Sequence, residues 1–401
     1  MLVAEAWVWF RAGRAHNSPD AMEQGYTKDR LALLLDHFGV VKDPREAAKV
    51  KFPLREVLFL VTCATIAGCD DYDEIAAWGD AHLDFLKGYS EYYFGTPKDD
   101  WLRVVINRID PTLFEACFTS WVRSLRPDGA DLIALDGKTL RRSGDSANGR
   151  KPLHLVSAWA SSQRLVLCQE AVDTKENECA AILTILERLT LKGALVTIDA
   201  IATNPTVADA ITSAGGDYVL ALKRNQPILH DEVERYFADP ATTGLQTIEI
   251  ADKDHGRVEV RTYAVSHDVA WLNSDRRYPG EYRFGAVKSL VKTTTSTHWR
   301  GKTTCETRYF ISSALLVPER AAEAIRAHWG IESMHWVLDV IFKEDQSRLR
   351  RGYGAQNMAL VRRLAFNIVR AGRGKKSIKT ARKVAAWKPE FLTSLLQTQI
   401  C

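Results

Sequence analysis

The chain has 401 residues, 46% hydrophobic and 26% charged, with a net charge of +4; at about 150 residues per domain this means two or three domains, and it excludes a single small module, a mainly disordered chain and a collagen-like one. The longest apolar run, Val57 to Cys69, has 13 residues where a bilayer crossing needs about 20, so no membrane is expected as a partner. Seven scattered cysteines without a C-x-x-C argue against a disulfide framework and a zinc knuckle, and the first residues make a poor signal peptide, so the cytosol is the expected compartment.

Residues 1–29 carry no clear periodic pattern, 1–35 is expected to be a poorly structured extension, and Met22 offers an internal start. From Lys51 the pattern turns helical, through LREVLFLVTCATIA, DDYDEIAAWGDAHLDFL and KDDWLRVVINRI. A further helix opens at Asp110-Pro111, a capping residue before a proline at the first helical position, and repeats apolar residues at i, i+3, i+4 as far as Leu125. The expectation is an all-helical unit over 36–127.

The period then changes. DLIALDG (131–137), LHLVSAWAS (153–161) and LVLCQEAV (165–172) read as three successive strands. A helix at Glu178 to Leu189, a strand at 194–201, a helix from Asn204-Pro205 and a strand at 217–223 complete the order βββαβαβ, which implies a mixed sheet covered on both faces. After a helix from Pro227 to Phe237, strands at 257–265, 284–295 and 306–315 read as an inserted sheet. A long helix starts near Pro318 and another spans Gln356 to Arg370.

Charge is segregated. From Ser347 to Pro389 there are 13 Lys/Arg and no Asp or Glu, so the remainder, with 41 basic against 50 acidic residues, is net acidic. Such a segment is the footprint of a polyanion-binding surface, with nucleic acid the obvious partner; a solvated basic tail is the alternative.

Two aspartates end apolar strands where a hydrophobe is otherwise expected: Asp136 in IALDGK and Asp199 in VTIDA. If these strands are parallel neighbours, the carboxylates meet at the sheet edge where open α/β folds place ligands. Like charges there call for a hard cation such as Mg²⁺. A third acid is expected from the helix on which His328, Glu332, His335 and Asp339 share one stripe, with Asp339 the rival of Glu332.

These residues resemble the DDE-type transposases of bacterial insertion sequences, in the branch that includes the H-repeat-associated proteins. The resemblance runs from about residue 36, through DPREAAKVKFPLREVL, IALDGKTLRRS (133–143), LHLVSAWAS, TKENE (174–178), TIDA, GGDYVLALKRNQ (215–226), HGRVEVR (255–261) and RYFISS (308–313) to AHWGIESMHWVLDVIFKEDQSRLR (327–350). It implies a ribonuclease-H-like core with a β-rich insertion, and an acidic triad of Asp136, Asp199 and Glu332 holding Mg²⁺ or Mn²⁺, two ions in the usual account of such chemistry. It implies cut-and-join transposition on double-stranded DNA, both the element's terminal inverted repeats and the target, by a homodimer, and hence a place at the nucleoid. A catalytically inactive DNA-binding relic or repressor is the alternative, and a different ribonuclease-H-like nuclease a third. In related transposases Tyr, Arg and Lys accompany the glutamate at −7, −4 and +7; here Ile325, His328 and Asp339 stand there, and Ser333 replaces the Asn that follows the glutamate. Phosphate contacts of that motif therefore do not carry over.

Candidate DNA contacts are Lys138, Arg141 and Arg142 just after the first acid, Arg257 and Trp299 in the insertion, and Arg348, Arg350 and Arg351 beyond the glutamate helix. Lys223, Asn225 and Gln226 end the fifth core strand and either approach DNA or cap the next helix. The helical unit over 36–127 is expected to bind the DNA ends, followed by catalytic core over 128–244, β-rich insertion over 245–317, core again over 318–370 and a basic helical C-terminal region whose tail spans 371–401.

Overall fold

The computed structural model describes residues 30–125, 132–172, 177–254, 256–273 and 283–398. The extension with Met22, most of TKENE and His255 lie outside the described residues.

Six helices lead the chain: α1 (Arg30–Val40), α2 (Leu54–Ile66), α3 (Tyr72–Ala81), α4 (Leu83–Lys87), α5 (Asp99–Ile106) and α6 (Pro111–Leu125). The apolar run that is too short for a membrane is α2, in which every residue except Arg55 is buried. It is wrapped by α1, α3 and two C-terminal helices, α11 (Gly354–Gly372) and α12 (Ile378–Trp387). Among the described residues no helix is long and apolar enough to cross a membrane. Local signals set the helix starts: the Asp71 carboxylate accepts the Glu74 N–H at the start of α3, and Asp110 accepts the Thr112 N–H ahead of α6.

Nine strands form one sheet: β1 (Leu132–Thr139), β2 (His154–Ala160), β3 (Leu165–Val172), β4 (Leu195–Ile198), β5 (Asp217–Leu222), β6 (Gln246–Asp254), β7 (Arg257–Ser266), β8 (Ser289–Trp299) and β9 (Lys302–Ser312), in the order β3-β2-β1-β4-β5-β9-β8-β7-β6. β1, β2 and β3 are antiparallel; β1, β4 and β5 are parallel. With α7 (Glu178–Arg188) and α8 (Pro205–Ser213) as the crossovers, this is the expected mixed ribonuclease-H-like core. The insertion differs from a separate sheet. β9 pairs antiparallel with β5, from Val219↔Ser312 to Leu222↔Tyr309, and so covers an edge that would otherwise expose unpaired backbone. β6, in a charged stretch that alternates only weakly, is a strand the sequence reading did not include.

α10 (Pro318–Val340) crosses the face opposite α7, which is why Asp136 meets α10 while Gly137, the next residue on β1, faces the α7 residue Glu178. Gly330 lets the helix lie close: a Cβ there would stand 2.8 Å from Nε1 of the buried Trp159 on β2. Gly330→Ala is therefore expected to lower stability by about 1–2 kcal/mol in chemical denaturation, the overpacking outweighing the roughly 1 kcal/mol gain in helix propensity.

The expected helical C-terminal region is present, and its described residues are packed rather than trailing. α12, capped by Ser377, and α13 (Pro389–Gln397) pack back on α11, α2 and α1, because Ile378, Ala381, Ala385, Leu392, Leu395 and Leu396 recur at helical spacing.

Candidate active site

The last register pair between β1 and β4 is Leu135↔Ile198, so the next residues, Asp136 and Asp199, follow it where β4 ends and β1 runs on beside β2 alone. α10 lays its polar stripe over this edge. His328 Nδ1 lies 3.0 Å from the Thr197 hydroxyl, and His335 Nδ1 lies 3.4 Å from Asp136 Oδ2, with Glu332 between them on the helix. Asp199, His328 and Glu332 line a cavity of about 600 Å³ walled by β5, β9, Trp329 and Lys223.

Electrostatics bind the three acids into one site. Burial raises the pKa of Glu332 above the ordinary glutamate value, and the charges of Asp136 and Asp199 push it further the same way. Burial also pushes Asp199 up, but hydrogen bonds from Lys223 and from the Ala200 N–H, with the lysine's charge, outweigh it and leave that carboxyl below its usual range. Lys223 Nζ reaches both oxygens of Asp199, at 2.9 and 3.1 Å. Burial holds the His328 imidazole below its ordinary pKa against the pull of both aspartates, which favours its neutral form.

The donor set suits a hard divalent cation: three carboxylates that repel one another, without a thiolate. Their oxygens do not close to within 4.8 Å of one another, unlike the ligand atoms of His230, Asp231 and Glu234 at the start of α9 (Pro227–Ala238). Asp339 is otherwise engaged. It accepts a hydrogen bond from Lys138, which leaves Glu332 as the acid facing the aspartates.

The candidate DNA contacts fall into three places. Arg141 and Arg142 follow β1 on an exposed loop that meets the segment carrying Arg350 and Arg351: Arg350 Nε donates to the Arg142 carbonyl at 3.2 Å, and Arg150 donates to the Gly352 carbonyl at 2.9 Å. Arg348 lies in a cleft with Asp70, Asp71, Asp73 and Glu74. Arg257, paired with Glu259 at 2.8 Å, and Trp299, 49% exposed at the β8–β9 tip under the Arg300 guanidinium, are on the insertion. The structure thus joins Arg141, Arg142, Arg350 and Arg351 and leaves Arg257 and Trp299 apart.

Lys138 departs from the expectation. Its side chain is 8% exposed and is held by Asp339 and by Glu344, the latter at 2.7 Å, so it does not face the surface as a phosphate contact would. The basic count also overstated the surface, since Arg362, Arg363 and Arg382 are buried. Sequence reasoning missed Arg150, the Lys223–Asp199 pair and the partners of Arg363; two arginines inside the otherwise apolar VRRLAF were the signal for a buried counter-charge.

Comparison with known proteins follows this geometry. The family described as "Transposase DDE domain" matches residues 109–368, and a second, described as associated with it, matches 35–122. The H-repeat-associated protein YhhI of Escherichia coli (strain K12) is 34% identical over 375 residues, 91% of this chain and 98% of that one. YncI of Escherichia coli O157:H7 is 36% identical over 378 residues, 91% of this chain and 95% of that one. The shorter YbfQ of strain K12, named an inactive transposase, is 36% identical over 78 residues, 20% of this chain and 93% of its own length. Among solved structures, the piggyBac transposase synaptic complex with hairpin DNA aligns at a TM-score of 0.43 and 11% identity, covering 91% of this chain and 80% of that one.

Proposed function

The chain belongs to the DDE-domain transposase family, and from that premise we propose that it cuts DNA at the ends of a mobile element and joins the freed 3′ ends to target DNA, with Asp136, Asp199 and Glu332 as ligands of two Mg²⁺ or Mn²⁺ ions. When bound, the ions would neutralise the carboxylates, activate the attacking oxygen and stabilise the leaving one in an in-line displacement. The chain's own part is placement. Two acids are fixed by hydrogen-bonded strands and the third by a helix. His335 orients Asp136 from the side, and the neutral His328 braces Thr197 beneath Asp199. Lys223, whose ammonium donates to both Asp199 oxygens, would stand within reach of a phosphate oxygen as a charge-assisted donor if a cation took its place on that carboxylate.

The exposed arginines at 141, 142, 350 and 351 would then hold the DNA backbone near the acids, and the helical region before residue 127 would read the terminal repeats. Two copies bring two ends together. The observation that supports the reading is the approach of three acids, Asp136 on β1, Asp199 just after β4 and Glu332 on α10, with the two aspartates' charges raising the pKa of the glutamate.

The test is strand cleavage of DNA bearing the terminal inverted repeats that flank the gene, with Mg²⁺ or Mn²⁺ and with chelator. Divalent-dependent cleavage at the repeat ends is expected; end-specific binding without cleavage under any ion would favour the repressor reading. The ions alone are also expected to raise the melting temperature in step with the logarithm of their concentration, by the equivalent of about 2.7 kcal/mol at 100 times Kd, with no rise in Asp199→Asn.

A further inference from the structure

A chain of alternating charges runs through the protein beside the three acids. Arg363 Nη1 donates to Glu344 Oε1 at 2.9 Å, and Lys138 Nζ donates to Glu344 Oε2 at 2.7 Å and also to Asp339. The Glu344 and Arg363 side chains are 0% exposed. Arg363 Nε also lies 3.4 Å from the hydroxyl of Ser157, the cross-strand partner of Asp136. The four charges sum to zero and come from four places: α11, the turn after α10, β1 and α10 itself.

The placement relates directly to the acids. Lys138 is two residues beyond Asp136, on the same face of β1, and Asp339 is seven beyond Glu332, on the same stripe of α10. Strand and helix are therefore joined by two rungs. Asp136 faces Glu332 and His335 at one, and Lys138 holds Asp339 at the other, about 10 Å further along the helix. A rigid helix held at two such points can neither rotate nor slide against its strand.

We propose that Lys138 is a positioning residue: it locks the glutamate helix in the rotation and register that bring Glu332 to Asp136 and Asp199. The inference rests on the reading of these acids given above. Lysine suits the role because one ammonium carries three donors and can serve carboxylates from two elements. Releasing Lys138 to a phosphate would strip the fully buried Glu344 of one of its two cations, a loss larger than an exposed ion pair returns.

The experiment uses the full chain and the variant Lys138→Met, with three readouts: calorimetric Mn²⁺ binding without DNA, the salt dependence of terminal-repeat binding in chelator, and single-turnover against steady-state cleavage. Mn²⁺ affinity is expected to fall at least about tenfold, the salt slope to stay as in the parent, and kcat to fall about 100-fold with KM for DNA unchanged. Unchanged Mn²⁺ affinity together with a salt slope lower by about one would overturn the proposal, because that is the signature of a lost phosphate contact. Should Lys138→Met fail to fold, Asp339→Asn, which keeps both contacts of Glu344, must show the weakened Mn²⁺ binding at unchanged stoichiometry; parent-like affinity there also overturns it. Parent protein that shows no Asp136-dependent Mn²⁺ binding removes the reading of the site itself. Normal parent binding with a parent-like variant removes only the role of Lys138.

Discussion

Glu332→Gln is expected to lower strand cleavage at least about 10³-fold, about 4 kcal/mol of transition-state stabilisation, while leaving binding of terminal-repeat DNA in chelator intact. Glu332 opens onto the solvent-filled cavity beside the aspartates, partly desolvated there but supplying no core contact, so the substitution removes a ligand without opening a void. The same change carries an opposite sign for stability. The Glu332 pKa is raised in the folded protein by burial and by Asp136 and Asp199. Its ionised form is therefore disfavoured in the fold, and stability is lost as pH rises from the ordinary glutamate range through the raised value. Gln has no charge to disfavour, so without ions the variant should melt no lower than the parent above that window. Single-turnover cleavage and melts on both sides of the glutamate range check both halves. Parent-like cleavage would refute the assignment of Glu332.

Arg363→Met is expected to cost about 3–5 kcal/mol in denaturant unfolding, because it removes one of the two cations held against a fully buried glutamate. Burial alone would raise the Glu344 pKa, but Arg363, Lys138 and Arg362 hold it down from 4.5 to about 2. In the parent this is worth about 3 kcal/mol, present above the ordinary glutamate value and lost as pH falls from there towards 2. With Arg363 gone the depression shrinks, and acid unfolding should begin at higher pH. A variant as stable as the parent at neutral pH, with the same acid midpoint, would contradict this account of the network.

The fold was legible where local chemistry decides it. Asp136 and Asp199 stood out because each ends a run of apolar strand residues, and they meet because β1 and β4 are the parallel neighbours that reading required. Asn204-Pro205 marked the start of α8, where the Asn side chain does accept the Val207 N–H at 2.9 Å. What the sequence hid depends on contacts between distant residues. Lys138 is paired 201 and 206 residues away, so its neighbours in LDGKTLRR suggested a phosphate contact and nothing pointed to Asp339 or Glu344. Net charge over 347–389 counted Arg362, Arg363 and Arg382 as surface because composition carries no record of partners. The joining of β9 to β5 was equally invisible, since ninety residues separate the paired strands and either would also read as an edge.

That joining has a mechanical consequence. A sheet continuous from β3 to β6 leaves the insertion no hinge of its own, so the β8–β9 tip stands at a set reach from the acids. Tyr309 pairs with Leu222, the neighbour of Lys223, and Lys302 pairs with Trp299 at the tip. Seven strand residues at about 3.3 Å each make that reach roughly 23 Å, close to the rise of seven base pairs. Lengthening the hairpin by two residue pairs would carry its tip about 7 Å further out.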